Sequence, residues 1–388
     1  MPWPVPVFTP VSHPKSVSLR VWLPVLLAIA SGVAGAVLLL WPRDMPTQTL
    51  QFWSALIGTP LVACALSCGI RVNHWEVQQT VAEELELEQR RLTGLWRGWC
   101  RRHLRIVQVA ALLPVTVRID SLSDAKVELP MNMNRTVGFP WNRGRSAAFR
   151  RARLLRLIAV RFADALKSRR QVVVTLMLDD ASLKDAQVWA AQAHHIFGGL
   201  VAGAAFKVET RPAADGARWL TQQVDAIDVG PRLVIAAQLW PDDETKRAFS
   251  EGAAAFLIDS AASKTGSIFR PMTASSDTLE TALEQLMQMQ VAPDCPAHLW
   301  STACDDESVA IRSALTSNSE SAVMERRFDN IVGKPGPASG WILFATAMEA
   351  THDSEPRLVA WREPGSKAVD LCMVAPVPSP SPHRETAV

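Results

Sequence analysis

Residues Val21–Trp41, VWLPVLLAIASGVAGAVLLLW, carry no charge, and a run of that length is what a helix needs to cross a bilayer. Leu50–Ile70, LQFWSALIGTPLVACALSCGI, is a second such run with one Gln near its start. Pro24 and Pro60 are compatible with membrane helices, where neighbouring groups re-satisfy the freed backbone. Gly32 and Gly35, with Ala28 and Ala36, give a small-residue face suited to close helix contact. Trp22, Trp41 and Trp53 sit near the ends, where interfacial aromatics belong. A cleaved signal peptide is the alternative for the first run; its length and the second run behind it argue against that. The pair predicts a transmembrane hairpin over residues 21–73.

Orientation follows from the basic residues. Lys15 and Arg20 precede the first run, and Arg71 and many arginines follow the second. The connecting PRDMPTQT carries one Arg and one Asp. The positive-inside rule therefore predicts both termini in the cytoplasm, on the inner face of the plasma membrane. The Pro-rich ends, residues 1–20 and 377–388, bury too little to fold and are expected to be disordered. A net charge of +2 on 388 residues, 20% of them charged, gives no polyelectrolyte signal. Of the six cysteines, Cys64 and Cys68 fall in the hairpin. Cys100, Cys295, Cys304 and Cys372 form neither a CxxC pair nor a zinc spacing, which predicts reduced structural thiols.

The juxtamembrane stretch, residues 74–109, reads as one amphipathic helix. Leu85, Leu92, Trp96, Trp99 and Leu104 recur at roughly helical spacing, with glutamates in the first half and arginines in the second. Two placements are open: on anionic lipid headgroups through Trp96, Trp99 and their arginines, or against the following domain.

From residue 110 to 376 strands and helices alternate, which predicts a layered α/β domain. Gln171–Leu178 and Arg232–Leu239 are β-branched or apolar runs of strands buried on both faces, and Ala253–Ile258 is a third strand. Pro114–Asp120 alternates like a strand, and Ala205–Glu209 is a short one. Helices are expected over Ser146–Arg170, Ser182–Gly198, Gly216–Asp228, Asp277–Met289 and Val309–Thr316. Arg143, Arg145, Arg150, Arg151, Arg153, Arg156 and Arg161 make the strongest basic cluster, with Trp141 and Phe149 the only aromatics among them. Nucleic-acid binding wants one basic face interleaved with stacking aromatics, so an acidic partner or an anionic membrane suits this helix better.

Arg327–Met348 holds the turn Gly333-Lys334-Pro335-Gly336-Pro337-Ala338-Ser339-Gly340, followed by an apolar helix. Such a turn aims backbone N–H groups at one point and suits an anion or oxyanion; the plainer reading is a loop before a buried helix. There is no GxSxG, GxxxxGK[ST], HExxH or GxGxxG. Asp179-Asp180 ends a strand, where α/β proteins place site residues, but an ordinary helix N-cap is the simpler account. His194-His195 lies mid-helix without ligand partners and reads as structural.

In order, several segments resemble the second half of the thiolase and β-ketoacyl synthase fold. Arg232–Leu239 followed by Phe249–Ile258 is similar to a condensing-enzyme stretch in which Phe and a Gly-Glu-Gly-Ala turn lead into a strand. Gly333–Gly340 is similar to that family's Gly-His-x-x-Gly-Ala-Ala-Gly turn. Glu363-Pro364-Gly365-Ser366 and Ala368–Val374 stand where its glycine loop and last strand fall, and 135–228 would supply the first half. The resemblance implies a thiolase-like fold without its chemistry: Lys334 replaces the histidine, no Cys lies between Cys100 and Cys295, and the glycine loop is reduced to Gly365.

A degenerate thiolase-like domain on a membrane hairpin resembles the lipase-adaptor family of type VI secretion. That implies a non-catalytic adaptor holding a secretion effector or spike component, with no cofactor, metal or nucleic acid, and a two-fold dimer carried over from condensing enzymes. Partner-binding candidates are Lys334, Gly333, Gly336 and Ser339 in the turn, and Arg143, Arg145, Arg150 and Arg153 on the basic helix. The alternative is an acyl- or lipid-handling enzyme with a rearranged site.

Overall fold

A computed structural model describes residues 2–43, 46–124, 127–201, 203–226, 230–243, 247–262, 266–290, 296–317, 323–350 and 355–376. The chain divides into a unit of Pro6–Trp96 and a unit formed by Met1–Val5 with Arg97–Val388.

In the first unit, α1 (Leu19–Leu40) and most of α2 (Leu50–Cys100) carry the two apolar runs. Both are long and apolar enough to cross a membrane, and almost none of the side chains in those stretches is buried. Trp41 packs edge-on to Phe52 at 5.0 Å, and the Cys64 thiol reaches the Leu26 carbonyl at 3.4 Å. Gly32 and Gly35 do not make the expected close contact, since a Cβ on either would meet nothing within 4 Å. Residues 9–14 lie along α2, where the Gln89 amide donates to the Thr9 carbonyl at 3.1 Å and His13 meets Glu86 at 2.8 Å. α2 continues unbroken past Ile70 to Cys100.

The expected juxtamembrane helix stops at Cys100. Residues His103–Leu112 form strand β1 instead, because they are the central rung of a sheet whose other rungs lie far along the chain. Trp99 is not free for lipid: the Arg270 guanidinium sits 3.7 Å above its ring, and Trp3 packs edge-on to it at 6.1 Å. Trp3 is itself buried, its indole N–H donating to the Pro271 carbonyl. The N-terminal residues expected to be disordered are therefore seated in the α/β unit at Trp3. The C-terminal tail at 377–388 lies outside the described residues, as does Cys295.

The unit is built twice on one plan. After β1 come α3 (Ala147–Lys167), β2 (Gln171–Leu178), α4 (Asp180–Lys184), α5 (Ala186–Leu200), β3 (Ala205–Pro212), α6 (Gly216–Asp225), β4 (Arg232–Gln238) and β5 (Gly252–Ile258). Then come β6 (Gly266–Phe269), β7 (Met272–Ala274), α7 (Leu279–Met289), β8 (His298–Thr302), α8 (Asp305–Ser317), β9 (Met324–Arg327), α9 (Phe328–Val332), α10 (Ser339–Glu349), β10 (Arg357–Trp361) and β11 (Val369–Ala375). The strand order is β3-β2-β4-β5-β1-β6-β11-β10-β8-β9, with β7 on β11. Each half has three parallel strands, then one antiparallel strand, then the half's own first strand. The halves join where β1 pairs antiparallel with β6.

Side-chain alternation sorts the layers. On β4, Leu233, Ile235 and Ala237 face α3 and α5, while Val234 and Ala236 face α6 and α10. On β10, Leu358 and Ala360 face α7 and α8, and Val359 and Trp361 face α10. Helices α6 and α10, equivalent in the two halves, thus form a buried central layer. Pro114–Asp120 is not a strand; it alternates but pairs with nothing and ends in a 3-10 turn at Asp120. Asp179 is the expected N-cap, accepting from the N–H groups of Ala181 and Ser182 at 3.0 Å.

Candidate functional site

The turn at Gly333–Gly340 is stitched into the fold, and its donors are not free for an anion. The Gly333 N–H goes to Asp329, and that of Lys334 to the Arg135 carbonyl at 2.8 Å. The Gly336 N–H goes to the Ser339 hydroxyl at 2.7 Å, and the Ala338 N–H to Gln238 Oε1 at 2.8 Å. Gln238 in turn donates to the Ser250 carbonyl at 2.7 Å, and the Ser250 N–H returns to the Lys334 carbonyl at 2.8 Å. Gly333 has φ +94, and a Cβ there would stand 2.3 Å from the Arg135 carbonyl oxygen, so this position requires glycine. Gly333, Gly336 and Ser339 are buried; Lys334 alone points to solvent. The anion-binding expectation fails because Arg135, Gln238 and Ser339 fill the donors first.

The basic helix divides. Ser146 caps α3 by accepting from the Phe149 N–H at 3.4 Å. Arg150 is buried and held by Asp242 at 2.9 Å, and Arg151 is buried against Gln192 at 2.6 Å. Arg150 therefore serves the fold and is removed from the partner-facing set. Arg143, Arg145 and Arg153 are exposed.

The place where the two halves meet was not singled out from sequence. The N-termini of α6 and α10 converge there, and Trp341 closes the gap, its indole N–H donating to the Ala213 carbonyl at 3.2 Å. A Cβ on Gly216 would lie 3.0 Å from that indole nitrogen, and one on Gly340 would lie 2.6 Å from Trp361. What remains between Ala213, Gly336, Trp361 and Glu363 is a cavity of about 10 Å³, room for one water at most. Trp341 also packs on Trp219 at 5.7 Å and Phe256 at 5.9 Å. No thiol among the described residues lines this junction. Burial pushes the thiols of Cys100 and Cys304 up to about 11 and about 12, and Cys372 well above the usual range. All three are protonated at neutral pH and weak nucleophiles.

Two acids at the junction are perturbed. Burial raises the Glu363 carboxyl to about 7, assisted by the charge of Asp370 and opposed by the N–H of Ala217. Burial raises Asp370 to about 6, opposed by the Thr273 hydroxyl that donates to it. Both folded values lie above the unfolded ones, so the folded domain holds protons that the unfolded chain releases. Their contribution is complete below about pH 4 and is lost as pH rises through 6 to 7. Urea unfolding should therefore give Asp370→Asn a smaller loss of stability than the parent between pH 5 and 8, by about 2 kcal/mol. Parallel pH profiles for the two proteins would refute that assignment.

No protein-family model matches the chain, and no curated protein matches it. Among solved structures it is similar to a tetronic acid condensing enzyme, at 12% identity and TM-score 0.46 over 70% of this chain and 100% of that one. It is similar to cerulenin-bound OleA of Xanthomonas campestris, at 12% and 0.43 over 72% and 98%. It is also similar to 3-oxoacyl-[acyl-carrier-protein] synthase III of Aquifex aeolicus, at 13% and 0.41 over 70% and 99%.

Proposed function

We propose that this chain is a non-catalytic, membrane-anchored scaffold whose α/β unit is a degenerate thiolase-like domain. The observation that carries the reading is the closed junction: Trp341 and Trp361 occupy the space between the α6 and α10 N-termini, and about 10 Å³ is left. The twofold repetition of the strand order agrees with a two-half fold of that kind, as the sequence resemblance implies. Covalent acyl transfer needs an activated nucleophile and room for a chain, and the buried, protonated thiols of Cys100, Cys304 and Cys372 together with the small junction cavity support the non-catalytic reading. α1 and α2 would anchor the scaffold in the plasma membrane with both termini inside. Loading of a type VI secretion effector is the narrower form of this reading, supported by the sequence resemblance.

The test is direct. The full-length protein in detergent is incubated with acyl-coenzyme A and acyl-carrier donors, and its intact mass is measured. An unchanged mass is expected. A stoichiometric acyl adduct on the α/β unit would overturn the scaffold reading in favour of an acyl-handling enzyme.

A further inference from the structure

The outward face of α3 is built differently from the charged surfaces around it. Its inward side, Leu154, Leu155, Ile158, Phe162 and Leu166, is buried. On the other side Phe149, Leu157 and Val160 stand 40%, 41% and 66% exposed, with Arg153 and Arg156 exposed between them. Positions 149, 153, 156, 157 and 160 fall on one stripe of a helix.

Two of the arginines nearby are already set in place. The Arg145 guanidinium lies 5.2 Å over the Phe149 ring, and that of Arg153 lies 5.1 Å over Trp141. Trp141 is stacked on Phe139 at 4.7 Å. Among the described residues no ion pair joins Arg143, Arg145, Arg153 or Arg156 to an acid, whereas Arg161, one turn on, is paired with Glu349. The stripe therefore keeps the Arg153 guanidinium ordered over Trp141 and that of Arg156 unneutralised, with Arg145 ordered at its start, beside exposed apolar side chains.

We propose that this stripe docks an acidic, amphipathic helix of a protein partner. The inference rests on the scaffold reading and names the partner's chemistry. From 143 to 166 every cation is arginine and none is lysine, and the planar fork of arginine matches carboxylates two bonds at a time. Phe149 to Val160 spans about 17 Å of helix, three turns, which is the reach of a short partner helix laid along it. Guanidinium groups held on aromatic faces lose less freedom on binding than free side chains. Lipid phosphates would also suit the forks, so capture by an anionic bilayer is one of the outcomes that the test below separates.

The test uses the full chain in its native membranes, with a photo-crosslinking amino acid at Leu157 and, as a control, at Val188, which is 49% exposed on α5. Crosslinked peptides are mapped by mass spectrometry. An acidic helical segment of another protein is expected at position 157 and not at 188. Arg153→Glu with Arg156→Glu should cut its yield at least tenfold, while Arg153→Lys with Arg156→Lys retains part of it, and both should melt like the parent. Crosslinks to lipid, to a second copy of this chain, to a basic segment, or to nothing would each overturn the proposal. A partner that still copurifies with the double Glu variant would sink the α3 face but leave the scaffold reading intact. Failure of any protein to copurify with the parent would sink the scaffold reading itself.

Discussion

Trp341→Ala is expected to lower the stability of the α/β unit by about 4 kcal/mol, the cost of deleting a large buried aromatic that the surroundings cannot follow inward. The side chain is 3% exposed and wedged among Trp219, Phe256 and Phe344, and its loss also removes the indole hydrogen bond to the Ala213 carbonyl. With about 5–15 kcal/mol in hand for a typical domain, that is a large fraction of the total. Trp341→Phe keeps most of the buried area and gives up the hydrogen bond, so about 1–2 kcal/mol is expected. Urea unfolding followed by fluorescence or circular dichroism reads both. A loss under 1 kcal/mol in the alanine variant would mean that the junction is loose and its closure is not what holds the halves together. The opened variant should still leave acyl donors untouched, because space alone supplies no nucleophile.

The second large effect is one of sidedness. A reporter active only outside the cytoplasm should be silent when fused after Val388 and active when inserted near Thr47. The basic residues flanking α1 and α2 argue for that arrangement. The seat of Trp3 bears on one part of it: a residue ahead of α1 packs among residues that follow α2, so the number of crossings between them is even and both lie on the same side, whichever side that is. Silence at both positions would mean that neither helix crosses, and activity at Val388 would reverse the orientation.

Much of the sheet could be read directly from the chain. Strands β2, β4 and β5 are continuous apolar runs because both of their faces are covered, and α3 announces itself by its buried leucine stripe and its Ser146 cap. β1 was hidden because its pairing partners lie 150 residues away, while its Leu, Arg and Ile prolong the helical spacing before it. Pro114–Asp120 shows the converse: alternation without a neighbour makes no strand. The glycines of the 333–340 turn were visible, but their donors' partners, Arg135 and Gln238, are known only once the chain is folded. Arg150 and Arg153 look alike in the sequence, and only the fold puts one against Asp242 and the other over Trp141. Trp341 and Trp361 carry no local signal of a plug; they read as ordinary apolar residues of a helix and a strand.

The burial of Trp3 sets an order on assembly. Its hydrogen-bond acceptor lies 268 residues further along, so Trp3 is among the last residues to find its place. Until β6 and β7 have formed and the α2 terminus has settled on Arg270, there is no seat for the indole to enter. A bulky fusion ahead of Pro2 should therefore slow the closing step rather than the early collapse, leaving a nearly complete domain with its last wedge missing.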